Sequence, residues 1–401
     1  MSSSDDRRHD DAIDRPYGGV LDLMPGDPDV DREISDAALI LGLIRFEAAV
    51  SRTLADHGEI PIEAGDAIVA ATDDLRVDPH RIGLLAERSA TPVIPIVEAI
   101  RSAVGDPFAD MVHRGLTSQD CIDTAFCLMQ AKVLDILGPR LALVIGRLSR
   151  VAEQHAATPM LARTLGRPAA PITFGWKVCG WIEGLEHAAL NLGRIREMLA
   201  VQVGGPAGDL AGIGPHPYPI LSDLADGLGL SVPRTPWHTE RSRVLHLAAG
   251  LTQVINACAK IAGDVVSLTG MEVGELVLGR DPRQSRRGGS SAMPHKRNPA
   301  AAVLIRSASI SAPGLLGSIA AAGVQEHERA AGAWQSEWRT IRELMHLTGG
   351  ATLELALLEQ DLDVDAGRMA ENLARAQVSG SPTAARQRAH EYLERFRDQV
   401  T

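Results

Sequence analysis

An all-α fold is what this sequence predicts: a central bundle of long helices, a small helical domain before it and a shortened helical segment after it. Three observations carry that expectation. Apolar residues recur at spacings of three and four over stretches longer than most globular helices, as in Val244, Leu247, Leu251, Val254, Ile255, Cys258, Ile261, Val265 and Leu268. Aromatic residues are few, 13 in 401 (5 Phe, 5 Trp, 3 Tyr), while Ala, Leu, Val and Ile abound, which suits close helix packing. Gly and Pro crowd into a single long irregular excursion, residues 204–240.

Residues 1–31 are polar and rich in Asp, so a disordered or extended segment is expected. Gly26-Asp27-Pro28-Asp29-Val30-Asp31 glances at a calcium loop but lacks the central glycine and the closing glutamate that such a loop needs. From Ser35 the pattern turns helical, with Ser35 or Asp36 as cap and Leu39, Leu43, Phe46, Val50 and Leu54 on one face. Shorter helices follow, and these pieces form an N-terminal helical domain, 32–109.

The central bundle, 110–349, takes five long helices: 124–157, 171 or 174–201, 240–276, one from residue 300 interrupted at Pro313-Gly314, and 330–347. The third alone spans roughly 54 Å at 1.5 Å per residue. Each apolar face is too wide for one neighbour, which predicts association into a homotetramer. Residues 350–401 remain for a truncated C-terminal helical domain ending in a charged helix, 381–400.

The charge balance, 51 acidic against 40 basic residues, argues against nucleic acid as a partner, because phosphate binding draws on surplus Lys and Arg. The four cysteines form no C-x-x-C pair, so neither a zinc ribbon nor a disulfide framework is indicated. The N-terminus has no apolar stretch of signal type, and no run of about 18 uncharged apolar residues stands out, so no membrane span is expected and a cytoplasmic location is.

Two stretches carry chemistry. Gly288-Gly289-Ser290-Ser291-Ala292-Met293-Pro294-His295-Lys296-Arg297-Asn298-Pro299 joins freedom at its glycines to restraint at its prolines, and sets two hydroxyls near a lysine. It reads as a lid able to put a proton-accepting oxygen and a cation round a small anion; a solvated basic turn opening the next helix is the plainer alternative. His113-Arg114-Gly115-Leu116-Thr117-Ser118-Gln119-Asp120 sets a histidine, two hydroxyls and an amide before an apolar helix. Ser118 or Asp120 can cap that helix, and its free N–H groups also form a natural carboxylate cradle.

Gly-Ser-Ser-x-Met-Pro-x-Lys-x-Asn-Pro at 289–299 and His-x-Gly-x-Thr-Ser-x-Asp at 113–120 resemble two signatures of the fumarase/aspartase superfamily, some 170 residues apart. Gln119, the segment Pro236-Trp237-His238-Thr239-Glu240-Arg241-Ser242-Arg243 and the stretch 325–338 are similar to its cycloisomerase branch, although that branch usually has Asp where Ser242 stands. The resemblance spans roughly residues 35–350. It implies proton transfer next to a carboxylate, with Ser290 as the base and Lys296 and Asn298 stabilising the resulting aci-carboxylate. It also implies substrate contacts from His113, Thr117, Ser118, Gln119, Arg163, Trp237, His238, Arg241, Ser291, Gln325 and Arg329. A small polycarboxylate substrate, no metal or organic cofactor, and sites shared between subunits of a homotetramer complete it.

A third segment, 162–175, matches the superfamily but has Leu165 where several of its lyases place the histidine that acts on the leaving group. Amine or hydroxide departs only with proton donation, whereas a carboxylate is already stable as an anion. Leu165 therefore favours a lactone-forming cycloisomerase over a fumarate-releasing lyase of the adenylosuccinate type; if it is instead a core residue, a histidine from elsewhere does that work. An inactive relative serving as a scaffold, or a binding module for acidic small molecules, are the non-catalytic alternatives.

Overall fold

The computed structural model describes residues 26–279, 288–293 and 296–400, with side chains to Arg395. The expected disorder over residues 1–25, and residues 283–287, 294 and 295 of the catalytic loop expected over 283–299, lie outside the described residues. Five N-terminal helices run α1 (Pro28–Glu33), α2 (Asp36–Asp56), α3 (Ile62–Asp73), α4 (Pro79–Ala86) and α5 (Val93–Val104), then a 3-10 turn at Ala109–Met111. Residues 26–31 are not extended. Asp27 caps α1 by accepting from the Asp29 N–H at 3.0 Å, and Val30 is fully buried.

Five long helices form the centre: α6 (Ser118–Gln154), α7 (Phe174–Met198), α9 (Ser242–Leu268), α10 (Ala300–Ala322) and α11 (Ala333–Asp361), with α8 (Pro217–Leu228) inside the irregular excursion. Helix α6 starts six residues earlier than the apolar pattern suggests, because Asp120 reaches back to accept from the Thr117 N–H at 3.0 Å and closes the first turn. Helix α10 runs unbroken through Pro313, and α9 stops at Leu268 rather than 276. Helix α11 continues to Asp361, so residues 350–361 belong to the bundle and not to a C-terminal unit. Among the described residues, the helices that follow are α12 (Ala366–Ala376) and α13 (Thr383–Val400).

Side-chain pairs fix the helix directions. Near the starts of α6, α9 and α11, Arg241 joins Asp123 and Glu337; near their ends, Arg147 pairs with Glu359 and Trp181 of α7 with Asp264. Helices α6, α9 and α11 are therefore parallel, and α7 and α10 run back against them. Helix α6, at 37 residues, is about 55 Å long.

The sequence pattern missed two small sheets. Strands β1 (Pro159–Thr164) and β2 (Arg167–Thr173) pair antiparallel, and β3 (Leu276–Leu278) pairs with β4 (Leu362–Val364). The first hairpin turns at Leu165 and Gly166, both at positive φ (51° and 74°), the backbone that matches the strands' right-handed twist. Leu165 sits at the tip, fully exposed, so it is not core.

Helices α9 and α10 are long and apolar enough to cross a membrane by length and composition, a test that packed core helices also pass. Helix α9 is largely buried in the bundle. Helix α10 packs on α9 and α11 and leaves Val303 and Ile310 on its outer side exposed, at 52% and 78%.

Candidate active site

The predicted site residues fall into two groups at opposite ends of the bundle. At the start of α6, His113 occupies a left-handed backbone (φ 66°), and Gly115 (φ 73°) lets the turn press on the excursion loop. A Cβ on Gly115 would lie 2.3 Å from the Gly212 carbonyl oxygen, so only glycine permits this approach. His113 Nδ1 lies 2.6 Å from Glu47 Oε1, and the Cys121 thiol donates to the same oxygen at 3.1 Å. Glu47, His113 and Cys121 have ligand-type atoms within 4.8 Å of one another, and these hydrogen bonds are what draw them together. Burial and the negative charge of Glu47 hold the Cys121 thiol well above its ordinary pKa, so it stays protonated. Arg329 Nη1 reaches Thr117 Oγ1 at 2.5 Å, which puts a guanidinium beside the helix N-terminus and the half-buried Ser118.

Behind that turn several expected substrate contacts are structural. Arg241 is 4% exposed, and all five of its N–H groups are taken. Nε and Nη2 donate to Glu337 at 3.0 and 2.6 Å, Nη1 and Nη2 to Asp123 at 2.7 and 3.1 Å, and Nη1 to the Trp237 carbonyl at 3.4 Å. None remains for a substrate carboxylate. Burial disfavours its charge, but Asp123 and Glu337 outweigh burial and keep it protonated far above the usual range. Trp237 is buried beneath Arg241, 5.0 Å from its guanidinium carbon, and donates to the Val201 carbonyl. His238 Nε2 pairs with Asp120 at 2.7 Å, Gln119 donates to the His238 carbonyl at 2.7 Å, and Gln325 donates to Glu337 at 2.9 Å. These side chains bond to one another and to buried carboxylates beneath the His113 turn.

The other group sits where α10 begins and α11 ends. The Asn298 N–H donates to the Gly288 carbonyl at 2.8 Å and closes the neck of the lid stretch. Gly288 has φ 75°, and a Cβ there would lie 2.0 Å from the Asn298 carbonyl oxygen. Ser290 Oγ accepts from the N–H groups of Ala292 and Met293 at 3.3 and 3.1 Å, while Ser291 and Lys296 are exposed. Two N–H donors on one hydroxyl oxygen favour its anionic form. Arg163, expected at the substrate, instead forks onto the fully buried Glu275 at 2.6 and 3.0 Å, tying the hairpin to the strand that leads into the lid.

Asn298 shares a small cavity with Leu357, Leu358 and Asp361 near the end of α11, whereas Arg241 meets Glu337 near its start. Twenty residues of helix separate Glu337 from Leu357, about 30 Å. Within one chain, the described residues of the lid stretch and of the His113 turn do not meet. Sequence reasoning missed Glu47 altogether: it lies 66 positions from His113 in a run that reads only as amphipathic helix.

A family model described as lyase matches residues 30–314. The chain is 38% identical over 343 residues to the 3-carboxy-cis,cis-muconate cycloisomerase of Pseudomonas aeruginosa, covering 84% of this chain and 74% of that protein. It is also 38% identical over 366 residues to a nitrosuccinate lyase of Streptomyces davaonensis, with 88% and 77% covered. Among solved structures, the 3-carboxy-cis,cis-muconate lactonizing enzyme of Pseudomonas putida superposes with a TM-score of 0.81 at 35% identity, covering 92% of this chain and 85% of that one. With its long-helix bundle, its two signature segments and these relatives, the chain belongs to the lyase family and is an enzyme of the fumarase/aspartase superfamily.

Proposed function

We propose that this enzyme interconverts 3-carboxy-cis,cis-muconate and 4-carboxymuconolactone, a step of aromatic degradation through protocatechuate. The observation that carries the reading is the similarity to cycloisomerases over most of the chain, and Leu165 agrees with it. Leu165 itself is no proton donor, and a carboxylate leaving group needs none. In the lactone-opening direction Ser290 removes the proton next to a carboxylate. Its two N–H donors support this role, because they stabilise the oxygen that must act as base. Lys296 and Asn298 stabilise the aci-carboxylate, and Ser291 adds a contact. Thr117, Ser118, Arg329 and His113 hold the remaining carboxylates at the α6 N-terminus.

Each site combines the lid of one copy with the His113 turn of another, in a homotetramer. The separation of about 30 Å along α11 supports this arrangement, as do the exposed Val303 and Ile310 of α10, which another copy would cover. The location is cytoplasmic, and no metal or organic cofactor takes part.

The test is to give the purified protein 3-carboxy-cis,cis-muconate and follow the loss of ultraviolet absorbance, with Ser290→Ala alongside. Turnover by the wild type alone is expected. Absence of wild-type turnover overturns the reaction, and equal turnover by the variant overturns Ser290 as the base. The nitrosuccinate lyase relative, as similar as the cycloisomerases, favours one second reading: expulsion of a weakly basic group such as nitrite from a substituted succinate. That reaction also needs no proton donor at position 165. Fumarate absorbance at 240 nm appearing from such a succinate would select it.

A further inference from the structure

We infer that Glu47 of α2 is a positioning residue for the site: it fixes which ring nitrogen of His113 faces the substrate. The inference rests on the proposal that His113 contacts a carboxylate substrate, but its geometry stands apart from the identity of that substrate.

Glu47 is 1% exposed and its Oε1 lies 2.6 Å from His113 Nδ1. A carboxylate only accepts, so Nδ1 carries the proton and Nε2 is the nitrogen left to a ligand. The His113 side chain keeps 17% of its surface against 2% for Glu47, so the pair has one open side and it belongs to the imidazole. Free imidazole side chains have no such fixed choice of tautomer. Here the choice follows from α2 packing beside α6, and the left-handed backbone of His113 swings the ring onto the carboxylate.

The Cys121 thiol donates to the same Oε1 at 3.1 Å, holding Glu47 from the α6 side, and its raised pKa keeps it a donor and not a rival anion. Glu47 Oε2 is buried with no hydrogen-bond partner among the described residues. A buried carboxylate left half-satisfied is costly, so the one bond it makes to the His113 ring is not readily given up. The neighbouring charged groups do not substitute for it. Asp120 is engaged with His238, Arg329 with Thr117, and Arg101 of α5 with the Val112 carbonyl.

Glu47 thereby does for His113 what an orienting carboxylate does in a catalytic triad, with Nε2 presented to a substrate carboxylate in place of a nucleophile. When protonated, the ring donates from Nε2 to that carboxylate.

The experiment is ring nitrogen NMR of the full chain with labelled histidine, the His113 signal being assigned by its disappearance in His113→Asn. The wild type is expected to show the Nδ1–H tautomer when neutral. Glu47→Ala returns the ring toward Nε2–H, whereas Glu47→Gln, whose amide oxygen can still accept from Nδ1–H, keeps the wild-type tautomer. In Glu47→Ala, kcat/KM falls by about tenfold or more, chiefly through KM, and Glu47→Gln restores part of it. An Nε2–H tautomer in the wild type overturns the inference, and so does an unchanged tautomer in Glu47→Ala. If the variants do not fold, the wild-type tautomer alone decides. The NMR result does not depend on turnover, so failure of the proposed reaction and failure of this inference are read separately.

Discussion

Arg241 and Lys296 are both cations that the sequence reading placed at the substrate, and the structure treats them oppositely. Arg241, at the His113 end, gives every N–H to buried partners; Lys296, at the lid end, stands in solvent with its backbone N–H on the Met293 carbonyl at 3.0 Å. The difference reflects what each end contributes. One end is a set of paired, buried charges beneath a helix N-terminus, and the other is an exposed arm held at its neck by the Asn298 N–H on the Gly288 carbonyl.

The largest expected effect tests that division. Ser290→Ala should lower kcat by about 10²–10⁴-fold, and a Thr117→Val variant should lose activity through substrate binding. Mixing the two inactive proteins under subunit exchange should restore part of the activity, since some hybrid sites then pair an intact lid with an intact turn. Mixtures that stay inactive would break the shared-site arrangement.

Stability separates the two ends next. Arg241→Met should cost about 3–5 kcal/mol, because it strands Asp123 and Glu337 as buried unpaired charges. Lys296→Met should change stability by less than about 0.5 kcal/mol while impairing turnover. Denaturant titration of both variants checks the contrast. Equal stability losses would show Lys296 to be structural too.

A finer probe is Gly288→Ala. Its Cβ cannot stand 2.0 Å from the Asn298 carbonyl oxygen, and φ 75° strains any other residue, so the neck must open. Activity should fall about tenfold or more while the melting temperature of the bundle scarcely moves. Calorimetry beside kinetics would reveal a coupled loss of both if the neck braces the fold.

The smallest effect concerns Glu359 near the lid end, whose carboxyl pKa is raised by burial despite its pairing with Arg147 at 3.4 Å. A raised folded value means that the charged form is disfavoured in the native state. Its unfavourable contribution is absent below the unfolded carboxyl range, about 4.3, and sets in as pH rises through the folded value. Glu359→Gln should therefore raise the melting temperature slightly at pH 7, with the difference shrinking toward zero near pH 4. An effect that grows as pH falls would reverse the assignment.

Much of the fold was legible because a helix repeats every 3.6 residues, so Leu247, Leu251, Val254 and Cys258 announce their buried face without help from any other segment. The 288–299 stretch and the turn before α6 could be singled out as candidates because their residue types cluster within a dozen positions. The β1–β2 hairpin was not, since Pro168 and Pro171 sit in a strand whose pairing is irregular and whose outer half is exposed. The ends of α9 and α11 also escaped, because β3 and β4, 84 or more residues apart, set them by pairing.

By itself, then, the sequence determined the all-helical bundle, the two signature segments and the class of chemistry, all of which are written in local spacing. Only the tertiary structure decided which polar side chains are free to act. That depends on partners distant along the chain: Arg241 has Glu337 96 positions away, Arg163 has Glu275 112 away, and His113 has Glu47 66 away. A charged residue reads the same in a sequence whether its hydrogen bonds are open or filled, and burial beside a counter-charge is what fills them.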